Sequence, residues 1–177
     1  TSLCMSIYLK SIKFLLISLI VILLNGCSST NMKDFENKTP KLNLFEFFKG
    51  ETVAYGIFED RFGKLRRQFR VKIKGSVEEN TLTLDEKFIY DDGEKATRIW
   101  KIKKIKDNNN LIKYEGSADD VEGLAKGASV GNALNWTYDI YLNIKGSNLK
   151  VKFNDWIYKQ DSNVAINRAY VSKFGID

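Results

Sequence analysis

The sequence predicts an all-β domain: a single antiparallel meander of about eight strands that closes into a barrel. Three observations carry that expectation. From Thr52 onward the apolar residues recur with a period of two, the period of a strand with one buried face. Turn signals punctuate the runs at short spacing, as at Asp60-Arg61-Phe62-Gly63, Asp91-Asp92-Gly93 and Gly146-Ser147-Asn148. No helix-period stretch separates the runs, so consecutive strands pair as hairpins. Closing such a sheet removes its exposed edges and leaves an interior that side chains or a small ligand fill.

The elements follow in order. Thr52–Glu59 is the first strand. Leu65–Lys74 puts Leu65, Phe69, Val71 and Ile73 on one face and Arg66, Gln68, Arg70, Lys72 and Lys74 on the other, where the cations form a solvated face or a dock for lipid phosphates. Gly75 is read as its end. Thr81–Tyr90 aligns Leu82, Leu84, Phe88 and Tyr90, and Asp91-Asp92-Gly93 turns it into Thr97–Ile105, with Trp100 and Ile102 inward and a bulge before Ile105. Leu111–Asp120 has Ile112, Tyr114, Gly116 and Ala118 on one face. Val121–Asn132 carries three glycines and reads as a flexible loop; its Gly127-x-x-x-Gly131 lacks the Lys-Ser/Thr of a phosphate loop. Ala133–Ile144, Leu149–Tyr158 and Val164–Phe174 complete the strands. Ahead of them, Leu42–Phe48 is predicted to be a short helix or turn plugging one end of the domain.

The N-terminal stretch has another character. Phe14–Leu24 is an apolar run of about eleven residues, long enough for a signal-peptide core and short of the ~20 that span a bilayer as a helix. Lys10 and Lys13 supply its basic flank. It closes on Leu24-Asn25-Gly26-Cys27, which resembles the bacterial lipobox, with Asn25 departing from the usual small apolar or hydroxyl residue. The resemblance implies that the Cys27 thiol receives diacylglycerol and that the leader is cleaved before it. Two or three acyl chains then exceed the two-signal threshold for stable anchoring. Ser28, not Asp, follows, which by the same resemblance implies a lipid-anchored envelope protein on the periplasmic face of the outer membrane of a Gram-negative bacterium. The expected layout is a signal peptide at 1–26 with Met5 as a plausible start, a lipidated tether at 27–41, and a barrel at 42–177 that stops short of its C-terminal end.

Composition narrows the chemistry. The chain has 28 Lys and Arg against 22 Asp and Glu, and losing Lys10 and Lys13 with the leader leaves 26 against 22, a net +4. That modest basicity suits a neighbour of anionic lipid. Its cations alternate along strands instead of clustering with stacking aromatics, which argues against nucleic acid. There is no His, and of the two cysteines Cys4 leaves with the leader and Cys27 carries lipid. Cys/His zinc sites, Cys–His nucleophiles and Ser-His-Asp triads are thereby excluded from the body, and no cofactor or metal is expected.

Several motifs resemble one family. Phe48-Lys49-Gly50, Tyr55-Gly56, Asp60-Arg61, Leu84-Asp85-Glu86, Tyr90-Asp91-Asp92-Gly93-Glu94, Asn132-Ala133-Leu134-Asn135-Trp136, Asp155-Trp156, Asn167-Arg168 and Lys173-Phe174-Gly175 are similar to the proteobacterial lipoproteins grouped as domain of unknown function 3833. The resemblance runs almost the length of the mature chain. It implies a lipocalin-like barrel, a further apolar strand after Lys173-Phe174-Gly175, and a connection with lipid, without an established activity.

Strand phase puts charges on the apolar face: Glu86 between Leu84 and Phe88, Arg98 with Trp100, Asp120 after Ala118, Asp155 between Phe153 and Ile157, and Arg168 with Ile166 and Tyr170. Unpaired buried charges cost several kcal/mol, so these groups are expected to pair. One reading is a structural ion-pair network. The other is a polar patch that orients a fatty acid or phospholipid head group, with Glu86, Arg98, Trp100, Trp136, Asp155 and Arg168 as its residues and Arg98 and Arg168 as partners for a carboxylate or phosphate. Tyr55, Trp100, Tyr114, Trp136, Tyr138 and Trp156 serve as packing or as the lining of a lipid pocket. No catalytic constellation is recognised, so the expectation is a non-enzymatic lipoprotein that binds or shields a lipid-like molecule. The alternatives are an interaction or structural protein of the envelope with a filled core, and a hydrolase built on paired carboxylates such as Glu86 and Asp155.

Overall fold

The computed structural model describes residues 30–108, 110–144 and 147–173, so the predicted leader, the predicted lipidation site Cys27 and the residues after 173 lie outside the described residues. The chain divides into two units, Thr1–Asn31 and Met32–Asp177, and the second holds every buried core side chain among the described residues, from Leu42 to Trp156.

That unit is all-β: β1 (Gly50–Glu59), β2 (Leu65–Glu78), β3 (Thr81–Tyr90), β4 (Lys95–Asn108), β5 (Leu111–Ser117), β6 (Val121–Val130), β7 (Ala133–Ile144), β8 (Ser147–Lys159) and β9 (Ala165–Ser172). They form one sheet in sequence order with every neighbouring pair antiparallel, curled into a half-barrel. The period-two reading of the chain therefore holds, and the bulge expected before Ile105 is present as a register shift between Lys104 and Lys106. Strands β1 and β9 are the outer strands of the curl, and no ladder joins them among the described residues.

Two local expectations are corrected. The segment read as a flexible loop, Val121–Asn132, is mostly strand β6, which makes nine strands. Its inward positions are the small residues Ala125, Gly127 and Ser129, and Trp136 of β7 lies over them. A Cβ on Gly127 would sit 2.3 Å from Trp136 Cε3, and one on Gly116 of β5 would sit 2.9 Å from Trp136 Cη2. The glycines here make room for an indole; they do not mark a flexible segment. Second, Gly75 is not a strand end. It lies inside β2, where a Cβ would be 1.7 Å from the carbonyl oxygen of Phe48.

The predicted plug is present. Helix α1 (Leu44–Phe47) is a single turn whose first N–H groups are met by Asn43: its Oδ1 accepts from the Phe45 N–H at 3.1 Å. Leu42 and Leu44 are buried in the core, and the Phe45 ring stacks on Tyr114 at 6.1 Å. The Leu44 N–H donates to the Tyr114 hydroxyl at 3.3 Å, and the same hydroxyl lies 3.4 Å from Ser129 Oγ. These contacts close one end of the half-barrel. The preceding stretch, expected to be a tether, docks from Met32 onward: a 3-10 turn at Met32–Phe35 lays the Phe35 ring against Trp156 and Tyr158 at 5.9 and 5.6 Å.

A candidate ligand site on the concave face

Ladder register decides which side chains share the concave face. One row runs Thr52, Ile73, Glu86 and Arg98 across β1 to β4. Another runs Tyr114, Gly127, Trp136 and Asp155 across β5 to β8. The curl of the sheet turns these rows toward each other. Trp100, two residues along β4 from Arg98, meets Trp136 edge-on at 5.6 Å and Tyr138 edge-on at 5.1 Å. Phe153 stacks on Tyr138 at 5.1 Å. Trp100, Trp136, Tyr138 and Phe153 thus fill the floor of the concavity, with the first three buried.

The charges above this floor are unevenly matched. Arg98 is committed to Asp120 in the turn after β5: Nε donates to both carboxylate oxygens at 3.1 Å, and Nη2 to Oδ2 at 2.6 Å. Burial works most strongly against the Arg98 cation, but the hydrogen bonds to Asp120 and the charges of Tyr138, Asp120 and Glu86 together outweigh it, so its pKa is raised. Glu86 stands directly opposite Arg98 in the ladder yet makes no hydrogen bond among the described residues. Burial raises its pKa to about 7; the Arg98 charge pulls it down, and the charges of Asp155 and Asp120 push it up. Asp155 is raised to about 6 by burial, against the pull of a hydrogen bond from the Tyr138 hydroxyl and of the Arg98 charge. Tyr138 in turn is held well above the ordinary phenol range, by burial first and then by the Asp155 charge.

Chemically, the face offers two carboxyl groups that hold their protons up to about pH 7 for Glu86 and about pH 6 for Asp155, beside a guanidinium already satisfied by a third acid. Such carboxyls both donate and accept hydrogen bonds. Among the described residues no cluster of His, Cys, Asp and Glu is fit to hold a metal ion.

Of the residues predicted for this site, Glu86, Arg98, Trp100, Trp136 and Asp155 come together. Arg168 does not. The β8–β9 register pairs it with Trp156, so it lies on the convex face, exposed, with its guanidinium 4.6 Å from the Tyr170 ring centre. Ile166 and Tyr170 are indeed in phase with it, but all three point outward on an edge strand whose apolar residues stay exposed. Among the described residues, the patch around the Trp100 floor thus sets one arginine, Arg98, against the three acids Glu86, Asp120 and Asp155. Two contributors escape the reading of the sequence. Tyr138 counts there only as packing or lining, though its phase with Trp136 on β7 puts its hydroxyl beside Asp155. Arg67 shares the phase of Phe69 and reaches the open end, where its guanidinium covers the Tyr90 ring at 3.6 Å and pairs with Asp92 and Glu94. Around it Phe58, Phe69, Phe88 and Tyr90 form a continuous aromatic rim, with ring centres 5.0 to 6.1 Å apart.

No curated protein and no solved structure matches the chain. One family does, over residues 21–177, and by that match the chain belongs to the family described as Protein of unknown function (DUF3833).

Proposed function

We propose that this protein is a non-enzymatic lipoprotein of the Gram-negative cell envelope, held by acyl chains on Cys27 at the periplasmic face of the outer membrane, whose half-barrel binds or shields a lipid-like ligand. The ligand is a fatty acid or phospholipid, with its chain along the Phe58, Phe69, Phe88 and Tyr90 rim and its polar end toward Glu86.

One observation carries this reading: Glu86 sits on an apolar concave face without a hydrogen-bond partner among the described residues, while the neighbouring arginine is spent on Asp120. A purely structural network would pair its charges, because an unpaired carboxyl in such a place destabilises the fold. A group kept there at a loss of stability is a functional-site candidate. Protonated, it can donate to a carbonyl or carboxyl oxygen of a bound head group.

The test is native mass spectrometry of the soluble unit, residues 30–177, followed by thermal titration with palmitate and phosphatidylglycerol. The expected result is a co-purifying species of lipid mass and a rise in Tm with one of the two lipids. Absence of both overturns the proposal.

A second reading is an interaction or structural protein with a filled core. The packing of Trp100, Trp136, Tyr138 and Phe153 across the floor favours it, since that half of the concavity holds side chains. It predicts no lipid shift. Turnover of an ester or glycoside that Glu86→Gln abolishes would instead point to a carboxylate-based hydrolase.

A further inference from the structure

The convex face of the β1–β2 hairpin combines two features that the strands separately do not explain. On edge strand β1 the outward side chains Val53, Tyr55 and Ile57 are exposed, Tyr55 at 77 %. The ladder sets them beside the outward cations of β2: Val53 opposite Lys72 and Tyr55 opposite Arg70. Ile89 of β3, also exposed, continues the apolar row on the far side of Arg70. At the hairpin tip Phe62 is 85 % exposed, with Leu65 exposed behind it.

The tip is built to hold Phe62 outward. Asp60 Oδ1 accepts the Phe62 and Lys64 N–H groups at 2.9 and 3.1 Å, and Arg66 clamps Oδ2 at 2.6 Å. Gly63 takes the left-handed conformation that the turn requires, at φ +76°. The hairpin, residues 50–75, has seven cations against three acids. Arg61, Lys64, Arg70, Lys72 and Lys74 form no ion pair among the described residues, in contrast to Arg66 with Asp60 and the inward Arg67 with Asp92 and Glu94.

We infer that this face docks on a bilayer surface that contains anionic lipid. Phe62, Leu65, Tyr55 and Ile57 would enter the interfacial region, and Arg61, Lys64, Arg70 and Lys72 would meet the lipid phosphates. An apolar row edged by unpaired cations, with aromatic residues at its most exposed points, is the pattern that interfacial elements share. Charge complementarity selects the partner: an acidic lipid surface supplies the anions that these cations lack among the described residues, Arg61 and Arg70 lying against the Phe62 and Tyr55 rings at 5.4 and 5.7 Å, while the apolar row leaves water.

Docking of this kind needs neither a ligand in the concavity nor the lipid at Cys27. It is tested with the soluble unit, residues 30–177, whose core is self-contained, by co-sedimentation with vesicles. Vesicles of about 30 % phosphatidylglycerol in phosphatidylcholine should bind it at least about tenfold more tightly than phosphatidylcholine alone, with binding lost as salt rises. Phe62→Ser with Tyr55→Ser, and separately Arg70→Glu with Lys72→Glu, should each weaken binding about tenfold or more with Tm unchanged. Lys101→Glu with Lys103→Glu, an equal charge change elsewhere on the convex face, should alter it less than about threefold. In a Phe62→Trp variant, emission should shift to the blue on vesicles. No binding to the anionic vesicles, equal loss from the Lys101 and Lys103 changes, or an unshifted indole overturns the inference. Retention of binding by the Phe62 and Tyr55 variant does so too.

Discussion

The Trp136 indole lies on the backbone of Gly127 in the neighbouring strand, close enough that a Cβ there would fall 2.3 Å from Cε3 and 2.7 Å from the Asn135 carbonyl oxygen. The second of these neighbours is backbone and cannot swing away. Gly127→Ala should therefore force Trp136 off Gly116 and disturb its edge contact with Trp100. Overpacking of this kind typically destabilises by about 1–3 kcal/mol. Urea denaturation should show that loss, with a weakened near-ultraviolet circular dichroism signal from the tryptophans. An unchanged midpoint would mean that the indole has another place to go.

This contact also marks where the chain alone stops being legible. Alternation on β2 to β5 and on β7 stands out because each carries several large inward residues, such as Phe69, Val71 and Ile73 on β2. Strand β6 has Ala125, Gly127 and Ser129 in those places, so its apolar signal vanishes although it is paired on both sides. The missing bulk is supplied by Trp136 across the β6–β7 hairpin, a contact that alternation within β6 does not encode. The polar site is half visible for a related reason. Phase puts Glu86, Arg98 and Asp155 on apolar faces, and all three lie there. Arg168 obeys the same alternation, but on an edge strand with apolar residues on its outer side, phase alone cannot tell which face is the concave one. Arg98's choice of Asp120 over Glu86 depends on the curl of the sheet, which the alternation does not encode.

Tyr114 couples the plug to the sheet. Its side chain is 1 % exposed, and its hydroxyl takes the Leu44 N–H and meets Ser129. Burial first, against the pull of the hydrogen bonds to Ser129 and Leu44, raises its pKa, so the phenol is neutral and free to play both parts. Tyr114→Phe keeps the ring against Phe45 but leaves a buried N–H and a buried hydroxyl to find other partners. A loss of about 1–2 kcal/mol is expected, and the Leu44 amide should exchange with deuterium at least about tenfold faster than in the unaltered protein. Faster exchange spread evenly over all strands would instead indicate that the plug and sheet open together.

Glu86 sets how stability responds to pH. In the folded protein its pKa is raised to about 7 and that of Asp155 to about 6, against ordinary values of 4.5 and 3.8. Between roughly pH 4 and pH 7 the folded state therefore keeps protons that the unfolded chain has released. Stability is then fully present below the unfolded values and is lost as pH rises through 6 and 7. For Glu86 that loss amounts to about 3 kcal/mol at most, since a pKa displaced by one pH unit corresponds to about 1.4 kcal/mol. Exposed acids act in the opposite sense. Asp60 is held low first by the Lys64 N–H, Asp92 by Arg67 and Glu122 by Lys150, so their contribution falls away in strong acid. The unit should accordingly be most stable in acid near about pH 4, where the gain from the depressed acids and the loss from Glu86 and Asp155 balance. Glu86→Gln removes the titration while keeping the shape. It should leave stability at about pH 4.5 almost unchanged and raise it at about pH 8 by about 1–3 kcal/mol, flattening the profile between them. Urea midpoints at mildly acidic, near-neutral and mildly alkaline pH check this. A profile as steep in the variant as in the unaltered protein would assign the slope to Asp155, whose pKa burial raises to about 6 against the pull of its Tyr138 hydrogen bond.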